Sequence, residues 1–217
     1  MAILNWSEVW ALLIPLFVLL FRRRQPKYLK PIVIYLWVAL IINLIADIIG
    51  DFRAHFPSWL QQNIILYNLH SIIRFTCFSY FFILYGQPSF QFLKKTLPFI
   101  FILFISLNFS IAENFLNTEH LSGNLLAAEA YLLLIYCMTY YLAQLNEENK
   151  SLTKGKAFLI VTGLSIYVVT NFFVFLFYVP MIKDNPDLAR SMWNVHNVAY
   201  ILLCLFIARS LYVATAN

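Results

Sequence analysis

The chain has 217 residues, 62% of them hydrophobic and only 12% charged, with 15 Lys and Arg against 10 Asp and Glu and a formal net charge of +5. A soluble domain of this length carries about twice that charged fraction, so the composition excludes an ordinary soluble globular domain and points to a polytopic membrane protein. The three cysteines, Cys77, Cys137 and Cys204, all lie inside apolar runs, which speaks for small packing residues rather than a disulfide framework.

In chain order, seven segments are long enough to span a bilayer, or nearly so: 4–21, 31–50, 60–86, 92–112, 121–144, 156–180 and 190–213. The first is not expected to be a cleaved signal. Met1 to Ser7 carry no positive side chain, and the basic run Arg22-Arg23-Arg24 follows the apolar segment instead of preceding it. The connections are brief, so residues 1–217 are expected to form one membrane domain.

Orientation follows from Lys and Arg in the short loops. One side holds Arg22, Arg23, Arg24, Lys27, Lys30, Lys94, Lys95, Lys150, Lys154, Lys156 and Arg209; the other holds Arg53, Lys183 and Arg190. This predicts an outside N-terminus and a cytoplasmic C-terminus, in an integral protein of a bacterial inner (plasma) membrane. Trp6, Trp10, Trp59 and Trp193 fall near the outer interface, as an aromatic belt would.

Within the third segment stands Tyr67-Asn68-Leu69-His70, and within the seventh its echo, Trp193-Asn194-Val195-His196. Both read aromatic-Asn-aliphatic-His and lead into an apolar run. The echo widens: Glu8 opens the first segment and Glu129 lies in the fifth, while Asn43 lies in the second and Asn171 in the sixth. The order Glu, Asn, Asn-x-His therefore recurs in segments 1–3 and 5–7. The expected fold class is all-α, a seven-transmembrane-helix bundle. Its layout is a 3+1+3 parallel pseudo-repeat of halves 4–86 and 121–213 around a connector helix, 92–112.

Polar side chains inside apolar runs are costly in lipid unless they are paired or line a cavity. Helical spacing places Asn43 with Asp47, His70 with Arg74, His196 with Tyr200, Tyr167 with Asn171, and Glu129 with Tyr136. Together with Asn68 and Asn194, these outline an outward-facing ligand pocket. Arg74 needs a buried partner, and Asp47 and Glu129 are the candidates. Below Arg74 the third helix reads Phe75, Phe78, Tyr80, Phe81, Phe82, a dry inner half without a continuous polar path.

Three chemistries follow. A ligand or solute pocket would use the Asn and His donors and acceptors and the Arg74 cation. Zinc could be held by His70, His196 and Asp47 or Glu129, giving a metal-dependent membrane hydrolase. Haem could be held by the His70/His196 pair. The seven-helix layout resembles that of the rhodopsins, but no lysine stands in the last segment for a retinal Schiff base. The three-one-three layout is similar to that of the sugar-transporting SWEET and PQ-loop group, whose Pro-Gln dipeptide is absent here. The histidine pair of ceramidase-type hydrolases is broken by Tyr200, four residues after His196.

The reading expected from sequence is therefore a sensory, receptor-like module. It contacts the lipid bilayer and signals through a separate cytoplasmic or membrane partner. Small-solute transport is the alternative, and a hydrolase follows it.

Overall fold

The computed structural model describes residues 6–57, 61–115, 121–146 and 155–213. Every regular element among them is helical: α1 (Ser7–Phe21), α2 (Lys30–Asp51), α3 (Ile64–Tyr85), α4 (Gln91–Leu107), α5 (Gly123–Leu145), α6 (Lys156–Asp184) and α7 (Pro186–Tyr212). Single helical turns at Lys27–Leu29 and Arg53–His55 flank α2, and a π-helical turn, Asn108–Ala112, extends α4.

The helix ends follow local chemistry. Gly86, at φ 71°, closes α3 in the left-handed region that a side chain resists. Ser122 caps α5 by accepting from the Leu125 amide at 3.1 Å. Asn185 caps α7 by accepting from the Leu188 amide at 3.1 Å, and Pro186 takes the first turn.

α3 starts at Ile64 rather than at 60, and two further limits differ from those expected by hydropathy. α6 runs through Pro180 to Asp184, because the proline is exposed near the helix end, where water can satisfy the carbonyl it frees. α7 starts at Pro186 rather than at 190, because the Asn185 cap and first-turn Asp187 make a polar turn helical. A single residue thus separates α6 from α7.

Among the described residues, five helices are long and apolar enough to cross a membrane: Lys27–Asp51, Gln91–Ala112, Gly123–Leu145, Lys156–Asp184 and Pro186–Tyr212. Ser7–Phe21 is apolar but has 15 residues. α3 has 22 residues, but Asn68, His70 and Arg74 interrupt its apolar run. This is the composition of an all-helical integral membrane protein whose outward faces, Phe92, Phe99 and Ile111 among them, suit lipid contact.

The helices close a ring. α1 packs on α2 and α7, α2 on α3, α3 on α5, α5 on α6, and α6 on α7, while α4 lies outside against α3 and α5. One end, called upper here, holds the starts of α1, α3, α5 and α7. There the Trp6 indole donates to Asp51 at 2.8 Å, joining the start of α1 to the end of α2. The other, basic end is stapled by Gln25. Its amide donates to the Leu211 carbonyl at 3.1 Å and accepts from the Lys156 ammonium at 2.8 Å, while Ser210 donates to the Lys156 carbonyl at 2.8 Å.

The lower half is filled by rings. Phe82 stacks on Tyr136 at 4.9 Å, Tyr28 meets Tyr85 at 5.3 Å, Tyr85 meets Tyr140 at 5.7 Å, and Phe75 lies 3.9 Å from Phe101. In lipid such packing, rather than release of water, holds helices together. The tightest seam is between α6 and α7, where a Cβ added at Gly163 would come within 2.5 Å of the Phe206 Cβ. Gly163→Ala is therefore expected to lower stability by about 1–3 kcal/mol, read as a lower melting temperature in detergent. An unchanged melting temperature would show that the seam is looser than this contact implies.

Candidate functional site

The upper half carries a layer of buried polar side chains built from two clusters. In the first, α3 meets α5. Arg74 donates to Glu129 through two nitrogens, Nε to Oε1 at 2.5 Å and Nη2 to Oε2 at 2.7 Å, and Ser71 Oγ donates to Oε2 at 2.5 Å. Arg74 is 4% exposed and Glu129 2%, so the pair is desolvated and stable only because it is fully hydrogen-bonded. The guanidinium also lies 4.9 Å over the Tyr167 ring, a cation–π contact. Of the two carboxylates expected to pair with Arg74, Glu129 is the one that does.

In the second cluster α1, α6 and α7 converge on His196. Its Nδ1 lies 2.6 Å from Asn171 Oδ1 and its Nε2 lies 3.2 Å from Glu8 Oε1. Asn171 Nδ2 donates to the Tyr167 carbonyl at 2.9 Å, which sets the amide oxygen toward the imidazole. Nδ1 must therefore carry a proton and donate it. Tyr167 belongs to both clusters, through its ring over Arg74 and its carbonyl on Asn171.

Between the clusters stands His70. Tyr35 stacks on it at 5.8 Å, and the Tyr35 and Tyr200 hydroxyls meet at 3.2 Å beside it. His70 is 3% exposed and its Nε2 has no partner. It shares a small cavity of ≈ 20 Å³ with Glu8, Tyr67, Arg74, Leu121 and His196. A buried polar space needs about 10–15 Å³ to hold a water, so this one has room for one. The two echoed motifs meet here: Tyr67 and Trp193 touch edge-to-face at 5.7 Å, and the two histidines line one cavity.

Above the layer is a pocket of ≈ 460 Å³, walled by Asn68, Glu113, Asn114, Ser122, Val179 and Lys183 among others. Leu121 lines both this pocket and the small cavity beneath it. A hydrogen-bonded rim supports the pocket: Ser122 N donates to Asn68 Oδ1 at 3.4 Å, Ser122 Oγ donates to Glu113, and Asn108 donates to Glu113 at 2.9 Å.

The structure brings together His70, Arg74, Glu129, Tyr167, Asn171, His196 and Tyr200, and puts Asn68 on the rim above them. Asn43 is buried, with neither its amide nitrogen nor its oxygen partnered, and Asp47 is half-buried with one bare carboxylate oxygen. Two expected pocket residues stand apart. Asn194 is exposed on the outer face of α7 beside Thr170 and Val198, and Asn197 is the asparagine that turns inward. Tyr136 lies in the lower aromatic layer, its hydroxyl donating to the Lys94 carbonyl at 2.6 Å.

Sequence reasoning left Glu8, Ser71 and Tyr35 off the site. Glu8 carried a signal, as the only acid in the first apolar run; Ser71 and Tyr35 carried none. Both His196 nitrogens and both Glu129 oxygens are engaged by protein, and no group of three His, Cys, Asp or Glu is arranged to hold a metal among the described residues. The space shared by His70 and His196 is also far smaller than a haem. Trp59, Lys150 and Lys154 lie outside the described residues. No family model, curated protein or solved structure matches the chain.

Proposed function

We propose that this chain is a sensory, receptor-like membrane module. In this reading all seven helices cross the bilayer, with the N-terminus outside and the C-terminus in the cytoplasm. The upper pocket faces outward and receives a small polar solute. The layer of Asn43, Asp47, His70, Arg74, Glu129, Tyr167, Asn171, His196 and Tyr200 responds to it, and a separate membrane or cytoplasmic partner carries the signal.

The observation that carries the reading is the stacking of a ≈ 460 Å³ pocket, a ≈ 20 Å³ cavity separated from it by Leu121, and a packed aromatic lower half beneath. The upper volume lies in the range of small-ligand sites. The excess of Lys and Arg at the basic end supports the orientation.

The helix ring favours transport as the second reading. Exchanging α1–α3 with α5–α7 maps the ring of neighbours onto itself, and each half's glutamate reaches the other half's third helix: Glu8 to His196, Glu129 to Arg74. This supports a three-plus-one-plus-three repeat, and rocking of two such halves is a known route to alternating access.

Thermal unfolding of the detergent-purified protein with a panel of small polar solutes tests the sensory reading. A binding solute is expected to stabilise the wild type, by about 2.7 kcal/mol at a hundred times its Kd, and to lose this effect in Asn68→Ala. Uptake of that solute into proteoliposomes would contradict the sensory reading and favour transport.

A further inference from the structure

The most constrained chemistry in the layer is a proton held between two side chains. Asn171 is locked by its bond to the Tyr167 carbonyl, so His196 Nδ1 keeps its hydrogen. At the opposite nitrogen Nε2 faces Glu8 Oε1 at 3.2 Å, and one further proton must lie on this line. It sits on Nε2 beside a carboxylate, or on Glu8 beside a neutral imidazole. Both arrangements leave the pair neutral overall. His196 is 4% exposed and Glu8 7%, so bulk water does not reach the pair directly. What does reach it is the one-water cavity, which both residues line together with His70, whose Nε2 has no partner.

We infer that Glu8 and His196 form an imidazolium–carboxylate proton-binding site that exchanges its proton with the upper face through the cavity both residues line. The balance is simple. The Glu8/His196 pair gives one proton to a water in the cavity, the upper pocket accepts it from that water, and the pair is left with one negative charge. The surrounding groups allow this. Arg74 on α3 is cancelled by Glu129 on α5. Asp47 on α2 and Tyr67 on α3 lie within the field of Glu8, as do Tyr167 on α6 and Tyr200 on α7, and Tyr35 on α2 lies within that of Arg74. Among the described residues no cation pairs with Asp47, and loss of the proton would set a net negative charge on the pair within its field. That repulsion between α1 and α2 is the physical output of the site. The inference rests on the receptor-like reading of the same layer and names H⁺ as a ligand of it.

Trp193 supplies the reporter, with its ring 5.0 Å from that of His196. An imidazolium quenches indole emission more than an imidazole does. The emission of the detergent-purified wild type minus that of Trp193→Phe would be followed over the pH range in which circular dichroism shows the fold intact. The expected result is a reversible step in this difference signal that is lost in His196→Gln and lost or displaced in Glu8→Gln, which keeps a hydrogen-bonding oxygen. If His196→Gln does not fold, ring ¹⁵N resonances of labelled wild-type histidines replace it, with one Nε2 expected to change protonation and its Nδ1 to stay protonated. A flat difference signal, or a step that persists in His196→Gln, would overturn the inference. Solute-induced stabilisation in the same preparation would then still uphold the sensory reading, whereas a pH step without any stabilising solute would leave the proton site standing alone.

Discussion

Arg74→Met is expected to cost about 3–5 kcal/mol, because it leaves Glu129 buried without its cation. The carboxylate is 2% exposed and would keep only the Ser71 hydroxyl at 2.5 Å. Glu129→Leu should cost a similar amount by stranding the guanidinium, since the Tyr167 ring alone cannot replace a carboxylate. The informative variant is the double one. Arg74→Met with Glu129→Leu removes both charges and keeps the volume, so it should recover most of the loss. Chemical denaturation of the four proteins in detergent gives the cycle directly. A double variant as unstable as the sum of the singles would mean that Arg74 and Glu129 hold the fold through separate contacts.

His196→Leu is expected to cost about 3 kcal/mol, because it strands two buried groups at once: the Asn171 amide oxygen and the Glu8 carboxylate. Asn171→Leu strands one imidazole nitrogen and removes a bond to the Tyr167 carbonyl, but leaves no buried charge unpaired, and should cost about half as much. Glu8→Gln keeps an oxygen near Nε2 and should cost about 1 kcal/mol. The order His196→Leu, Asn171→Leu, Glu8→Gln is the prediction, and melting temperatures in one detergent measure it. Equal small effects for all three would mean that water reaches the layer freely and that the bonds around His196 do not stabilise the fold.

Much of this site was legible in the residues. Glutamate, asparagine and histidine inside apolar runs have few places to go, and that alone led to His70, Arg74, Glu129, Asn171 and His196. What the pattern could not supply was the surroundings of each helix. Asn68 and Asn194 occupy the same place in two similar motifs, two residues before a histidine, which on a helix is nearly the opposite face. α3 has α2, α4 and α5 around it, so its far face meets protein and Asn68 bonds to Ser122. α7 has α1 and α6, and its far face is bare, so Asn194 looks outward.

Depth was the other gap. Tyr136 shares a face with Glu129, but seven residues along a helix amount to about 10 Å, which carries it into the lower rings and onto the Lys94 carbonyl. Helix limits failed where capping overruled hydropathy, at Pro186 above all. The partners of Arg74 and Glu8 were open for the same reason: a sequence names the charges that need partners, and only the packing of α1 on α7 and α3 on α5 names which partners they meet.

The proposed orientation, with the upper pocket on the outside, can be probed by cysteine labelling. With Cys77, Cys137 and Cys204 replaced by alanine, a single cysteine is placed at Lys183, on the wall of the upper pocket, or at Lys27, exposed at the basic end. A membrane-impermeant maleimide added to intact cells should label Lys183→Cys and spare Lys27→Cys until the membrane is opened. The reverse pattern would turn the bundle over, place the pocket and the proton site on the cytoplasmic side, and contradict an outward-facing sensor.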